Sequence, residues 1–74
     1  MRLPTLKPRQ VIQALQRGGF AIHHQRGSHI YLRHPQRPGV QVCVPMHGAG
    51  LKRGLLHGIL KDAGVTLEEF LRWL

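Results

Sequence analysis

Between Phe20 and Pro45 three short runs alternate apolar and polar residues with a period of two, and turn chemistry separates them. The first run is Phe20 to Gln25. Arg26-Gly27-Ser28 follows as a short turn, and His29 to His34 is the second run. Pro35-Gln36-Arg37-Pro38-Gly39 is turn sequence throughout, with Pro38-Gly39 suited to the central positions of a type II turn. Val40, Val42 and Val44 mark a third run with a β-branched face, ended by Pro45. Successive side chains on a strand point to opposite faces, and links this short suit antiparallel neighbours. The runs therefore predict a three-stranded meander. Phe20, Ile22, Ile30, Leu32 and the three valines would face a core, while His23, His29, Tyr31, Arg33, Gln41 and Cys43 would face away. One register is expected to serve all three strands.

On either side the apolar period changes to that of a helix. Val11, Ile12 and Leu15 predict a helix over residues 8–17, started by Lys7-Pro8 and stopped by Gly18-Gly19, one of which takes the left-handed conformation. Leu51, Leu55, Ile59 and Ala63, with Leu56 and Leu60 beside them, predict a second helix ended by Gly64. Gly54 and Gly58 weaken it by about 1 kcal/mol each relative to alanine, and the expectation is that they allow close approach to the sheet. Thr66-Leu67-Glu68-Glu69 resembles a capping box opening a short last helix, in which Trp73 covers a core edge or meets a partner. The fold class is α+β, α-β-β-β-α plus a short C-terminal helix, with the helices on one face of the sheet. Residues 1–74 are expected to form one domain. Its only cysteine is Cys43, so no internal disulfide can form and packing alone must hold the core.

Charge narrows the choice of partner. Eleven Lys and Arg against three acids give +8 at neutral pH, and every acid lies at or after Asp62. Such a field draws polyanions, nucleic acid first and an acidic protein surface second. The basic residues form no amphipathic stripe, which disfavours an anionic membrane. No apolar run approaches the ~20 residues of a membrane span. Met1-Arg2-Leu3-Pro4 lacks the apolar stretch of a secretory signal. A lone thiol suits a reducing compartment. A cytoplasmic protein is expected.

Gly27-Ser28-His29-Ile30-Tyr31 is the stretch in which chemistry is expected. His29, Tyr31 and Arg33 would stand in a row on the outer face, although polar residues on a solvated sheet face are also ordinary. RNA can be cut without a metal: the ribose 2′-hydroxyl attacks its own phosphate once a base removes its proton and cations stabilise the developing charge. An imidazole suits the base role, because its ordinary pKa of ~6.5 leaves it substantially neutral at pH 7. His29 is the candidate base. Arg26, Arg33, Lys52 and Arg53 are candidates to hold phosphates, with Ser28 and Tyr31 as further RNA contacts. Tyr31, His23 and His47 remain open as the general acid. His23 and His24, being adjacent, would point to opposite faces, and no histidine or cysteine spacing matches a dependable zinc site. No metal or other cofactor is expected. Gly48-Ala49-Gly50, ahead of a helix, could accept a phosphate on its amides, but most such loops are only connectors.

The ordered set of motifs resembles the HicA family of toxin–antitoxin toxins. The resemblance rests on Leu15…Gly18-Gly19-Phe20, Gly27-Ser28-His29-Ile30-Tyr31, Val42-Cys43-Val44-Pro45-Met46-His47 and Leu51-Lys52-Arg53-Gly54-Leu55…Ile59-Leu60-Lys61-Asp62-Ala63-Gly64, across about residues 7–70. The sequence departs from the family pattern at Leu55, His57 and Gly58. The resemblance implies a fold like a double-stranded-RNA-binding domain and an mRNA interferase activity with His29 as the catalytic residue. It also implies a HicB-like antitoxin that masks the active face. The alternative is a non-catalytic module that holds double-stranded RNA by shape and phosphate contacts.

Overall fold

The structure, a computed structural model, describes residues 6–46 and 50–74, without the side chain of Arg53. Elements run α1 (Pro8–Arg17), β1 (Ala21–Arg26), β2 (His29–Arg33), β3 (Gln41–Pro45), α2 (Arg53–Ala63) and α3 (Leu67–Trp73). The strands form one antiparallel sheet in the order β1-β2-β3. The fold is α+β, as the alternation and its flanks predict.

Helix α1 starts at Pro8, where a missing N–H costs nothing, and the Gln10 side chain accepts from the Lys7 amide at 2.8 Å. It stops where Gly18 caps it and Gly19 turns to φ +100°. Its buried stripe is Val11, Ile12, Ala14 and Leu15. Helix α2 buries Leu56, Ile59, Leu60 and Ala63, and ends on Gly64 in the left-handed conformation. Thr66 accepts from the Glu69 amide at 3.1 Å, and Glu69 accepts from the Thr66 amide at 3.3 Å, so the capping box opens α3 as expected. Helices α1 and α2 cover one face of the sheet, where Ile30, Leu32, Val42 and Val44 are buried, and α3 packs against these two helices. Phe70 of α3 closes the same core and is fully buried, which stabilises by about 1.5–3 kcal/mol relative to an exposed side chain.

Two long side chains tie remote segments together. In the β2–β3 connection the Val40 amide donates to the Arg37 carbonyl at 3.2 Å across Pro38-Gly39, with Gly39 at φ +87°. That is the expected type II turn. It aims Arg37 at the far end of α2, where its Nη1 donates to the carbonyls of Ala63 and Gly64, both at 3.2 Å. A guanidinium thus satisfies the last carbonyls of a helix and complements its dipole. His34 accepts the Gln36 amide on Nδ1 at 3.1 Å, so its Nε2 carries the proton and donates to the Gly18 carbonyl at 3.2 Å.

Two expectations about packing are corrected, for Ile22 and for the α2 glycines, and the one for Val40 holds in part. Ile22 is 49% exposed, not part of the core: it faces the helix side beside Leu32, but β1 is an edge strand and all six of its residues are exposed. Val40 packs partly against the core from just outside β3. Gly54 and Gly58 do not approach the sheet. An added Cβ at either meets nothing within 4 Å, and both positions are exposed.

Candidate nucleic-acid interface

The β1–β2 hairpin decides which polar side chains meet. Arg26 pairs directly with His29, so the loop between them is the two residues Gly27-Ser28. Gly27 has φ +56°, and no residue other than glycine has a positive φ among the described residues. A glycine at the first position of a two-residue loop is what a II′ hairpin turn needs. His29 therefore opens β2 directly across from Arg26. Beyond them on the other side stands Pro45, and the Met46 amide continues the ladder by donating to the Ser28 carbonyl.

Residues paired across an antiparallel sheet share a face, so the outer face has three rows. The first is Arg26, His29 and Pro45; the second is His24, Tyr31 and Cys43; the third is Ala21, Arg33 and Gln41. No acidic residue occurs on it, because the sequence has none before Asp62. His24, Arg26, His29 and Arg33 are exposed, and Tyr31 is half-buried. Arg33 is steadied by its Nε donating to Gln41 Oε1 at 3.1 Å.

The expected register fails at one point. Pairing shifts between Ile22 and His24, so His23 is an extra residue in a β-bulge. From there to the turn every β1 side chain changes face. His24, not His23, stands in line with the outer row, and its ring lies parallel to that of Tyr31, with centroids 4.5 Å apart and planes 13° apart. Nor are His23 and His24 separated by the strand: their rings meet edge to face at 5.1 Å and 75°. His24 is the residue the alternation missed. No apolar residue between Ile22 and the turn marks the phase there.

The structure thus brings His29, Arg26, Tyr31 and Arg33 onto one face, with Ser28 exposed in the turn at its edge. Lys52 is exposed on a different element, as the residue preceding α2. Arg53 is the first residue of α2, and its side chain lies outside the described residues, as do His47 and the first two residues of Gly48-Ala49-Gly50. No group of three or more His, Cys, Asp or Glu residues that could hold a metal ion occurs among the described residues. No described helix is long and apolar enough to cross a membrane.

No curated protein matches the sequence. Residues 8–65 match the model of a protein family described as the HicA toxin of bacterial toxin–antitoxin systems. The match runs from the start of α1, through the sheet with its Gly-Ser-His hairpin, to the residue after the α2 cap. With that span of a 74-residue chain matched, the protein belongs to the HicA toxin family and is a toxin of the toxin–antitoxin kind, which implies an antitoxin as its partner.

Proposed function

We propose that this toxin is a metal-independent endoribonuclease, an mRNA interferase, which binds RNA on the outer face of its sheet and cuts it with His29. The observation that carries the reading is the Arg26–His29 pair at the hairpin end, on a sheet face without acids in a HicA chain. His29 takes the proton of a ribose 2′-hydroxyl, whose oxygen attacks the adjacent phosphorus. Arg26, directly across, neutralises the charge gathering on the phosphoryl oxygens, where a guanidinium offers two parallel donors. Arg33 extends the cationic track along the strand, and Lys52 and Arg53, from the start of α2, supply further phosphate contacts. Ser28 offers a hydroxyl at the turn, and Tyr31 a ring on which a base can stack. The substrate places the activity in the cytoplasm, and a HicB-like antitoxin silences it by covering this face.

The test is incubation of purified protein with an mRNA in EDTA, beside a His29→Ala variant. Wild type should cut and the variant should bind RNA without cutting. RNA that is bound but left intact by wild type would replace this reading with that of a binding module.

A further inference from the structure

Cleavage by the 2′-hydroxyl needs two proton transfers, and His29 supplies one. The leaving 5′-oxygen must acquire a proton as its bond to phosphorus breaks, or it departs as an unstabilised alkoxide. We infer that His24, stacked on Tyr31 one row along from His29, is the general acid that delivers it. The inference rests on the ribonuclease reading above.

The register supplies the spacing. His24 lies opposite Tyr31, and His29 lies two residues before Tyr31 on the same strand and face. His24 and His29 are therefore diagonal neighbours, a relation that separates Cβ atoms by roughly 7 Å. Two imidazoles so placed can flank one phosphoryl group undergoing in-line displacement, each hydrogen bonded at about 2.8 Å to one of the two oxygens that exchange. The parallel contact with Tyr31, 4.5 Å between centroids, fixes the plane of the His24 ring and limits its rotation. Such restriction lets a donor act without first being ordered. Tyr31 serves as a positioning residue, since a phenol is a far weaker acid than an imidazolium. His23, the bulged residue, is paired with nothing across the sheet and meets His24 edge on.

The step balances without a further reactant. The 2′-oxygen loses its proton to His29 and forms a bond to phosphorus. The bond from phosphorus to the 5′-oxygen breaks, and that oxygen takes the proton of His24. The products are a 2′,3′-cyclic phosphate and a 5′-hydroxyl end. Solvent then returns a proton to His24 and accepts one from His29.

A leaving group that needs no proton separates the two roles. An oligoribonucleotide cut by wild type is compared with the same oligonucleotide carrying sulfur in place of the 5′-oxygen at the cut linkage. His24→Ala should lower the rate on the oxygen substrate by about 10²–10⁴-fold and leave the rate on the sulfur substrate within a few-fold of wild type. His29→Ala should be slow on both. His24→Phe keeps a ring on Tyr31 without a proton to give, so it should behave like His24→Ala. The inference is overturned if either His24 variant cuts the oxygen substrate at the wild-type rate, or if both are equally slow on the two substrates. A wild-type protein that leaves the oxygen substrate intact overturns the ribonuclease reading itself, and this inference with it.

Discussion

A methyl group added to Gly18 would sit inside the indole of Trp73. The Cβ of Gly18→Ala would lie 2.5 Å from ring atoms Cη2 and Cζ3 and 2.6 Å from Cζ2. Gly18 has φ −82° and ψ 3°, which alanine can adopt, so the collision with the ring governs the outcome. Restricting the unfolded chain favours alanine by about 0.4–1 kcal/mol. Against that stands either an overpacked contact, costing about 1–3 kcal/mol, or displacement of the indole with loss of a similar amount of buried surface. The net expectation is a loss of about 1–2 kcal/mol. For a domain of this size each kcal/mol moves the melting temperature by about 4–8 °C, so a fall of roughly 5–15 °C should follow. Circular dichroism gives the melting curve, and emission from Trp73, the sole tryptophan, reports the contact directly through a red shift. In a Trp73→Ala background the same substitution should be neutral or slightly stabilising, a coupling of about 1 kcal/mol or more. A Gly18→Ala protein that melts at or above the wild-type temperature would refute the reasoning, as would an equal loss with Trp73 already removed.

Gly54→Ala and Gly58→Ala, both with open space around the added atom, should each stabilise by about 0.5–1 kcal/mol through helix propensity, read from urea midpoints. A loss at either would mean that α2 needs glycine for a reason other than its own fold. Arg37→Gln removes the donor to Ala63 and Gly64 and should cost about 1 kcal/mol, whereas Arg33→Gln, on the solvated face, should stay within about 0.5 kcal/mol. Equal melting temperatures for the two variants would contradict the capping role.

What could be read from the chain follows the range of the interactions. Helix α1 has both ends written locally, by Pro8 and by Gly18-Gly19, and spans Pro8–Arg17 as its residues predict. The Pro38-Gly39 turn and the Thr66–Glu69 box are likewise decided within four residues. The contacts of Arg37 with Ala63 and Gly64 are a different matter. Nothing near Arg37 says where its guanidinium ends, because its partners lie 26 and 27 residues away and are reached only once the sheet and α2 are packed. The same holds for Trp73 on Gly18 and for the glycines of α2, whose spacing fits a close approach as well as it fits solvent. On the candidate site, His29, Tyr31 and Arg33 needed only the second strand to be placed, whereas the outward position of Arg26 goes with the bulge. His24 needed the bulge.

The bulge itself follows from two anchors of β1 that disagree. At one end Ile22 stands beside Leu32 on the helix side. At the other, a two-residue loop with Gly27 at φ +56° obliges Arg26 to pair with His29, which faces outward. Ile22 and Arg26 are four residues apart, and on a regular strand residues four apart share a face. They cannot be on opposite faces unless one residue is left out of the ladder, and His23 is that residue. Both anchors lie in the sequence, so the conflict could be detected before any coordinates by asking whether the turn and the apolar alternation demand the same register. The resolution has a chemical consequence. A regular strand ending in a looser turn would present His23 and Gln25 outward and direct His24 and Arg26 toward the helices. The bulge presents His24 and Arg26 instead and leaves Gln25, whose amide donates to the Gly27 carbonyl at 2.9 Å, on the helix side. The charge opposite His29 and the imidazole stacked on Tyr31 thus share one cause, a single residue that the ladder omits.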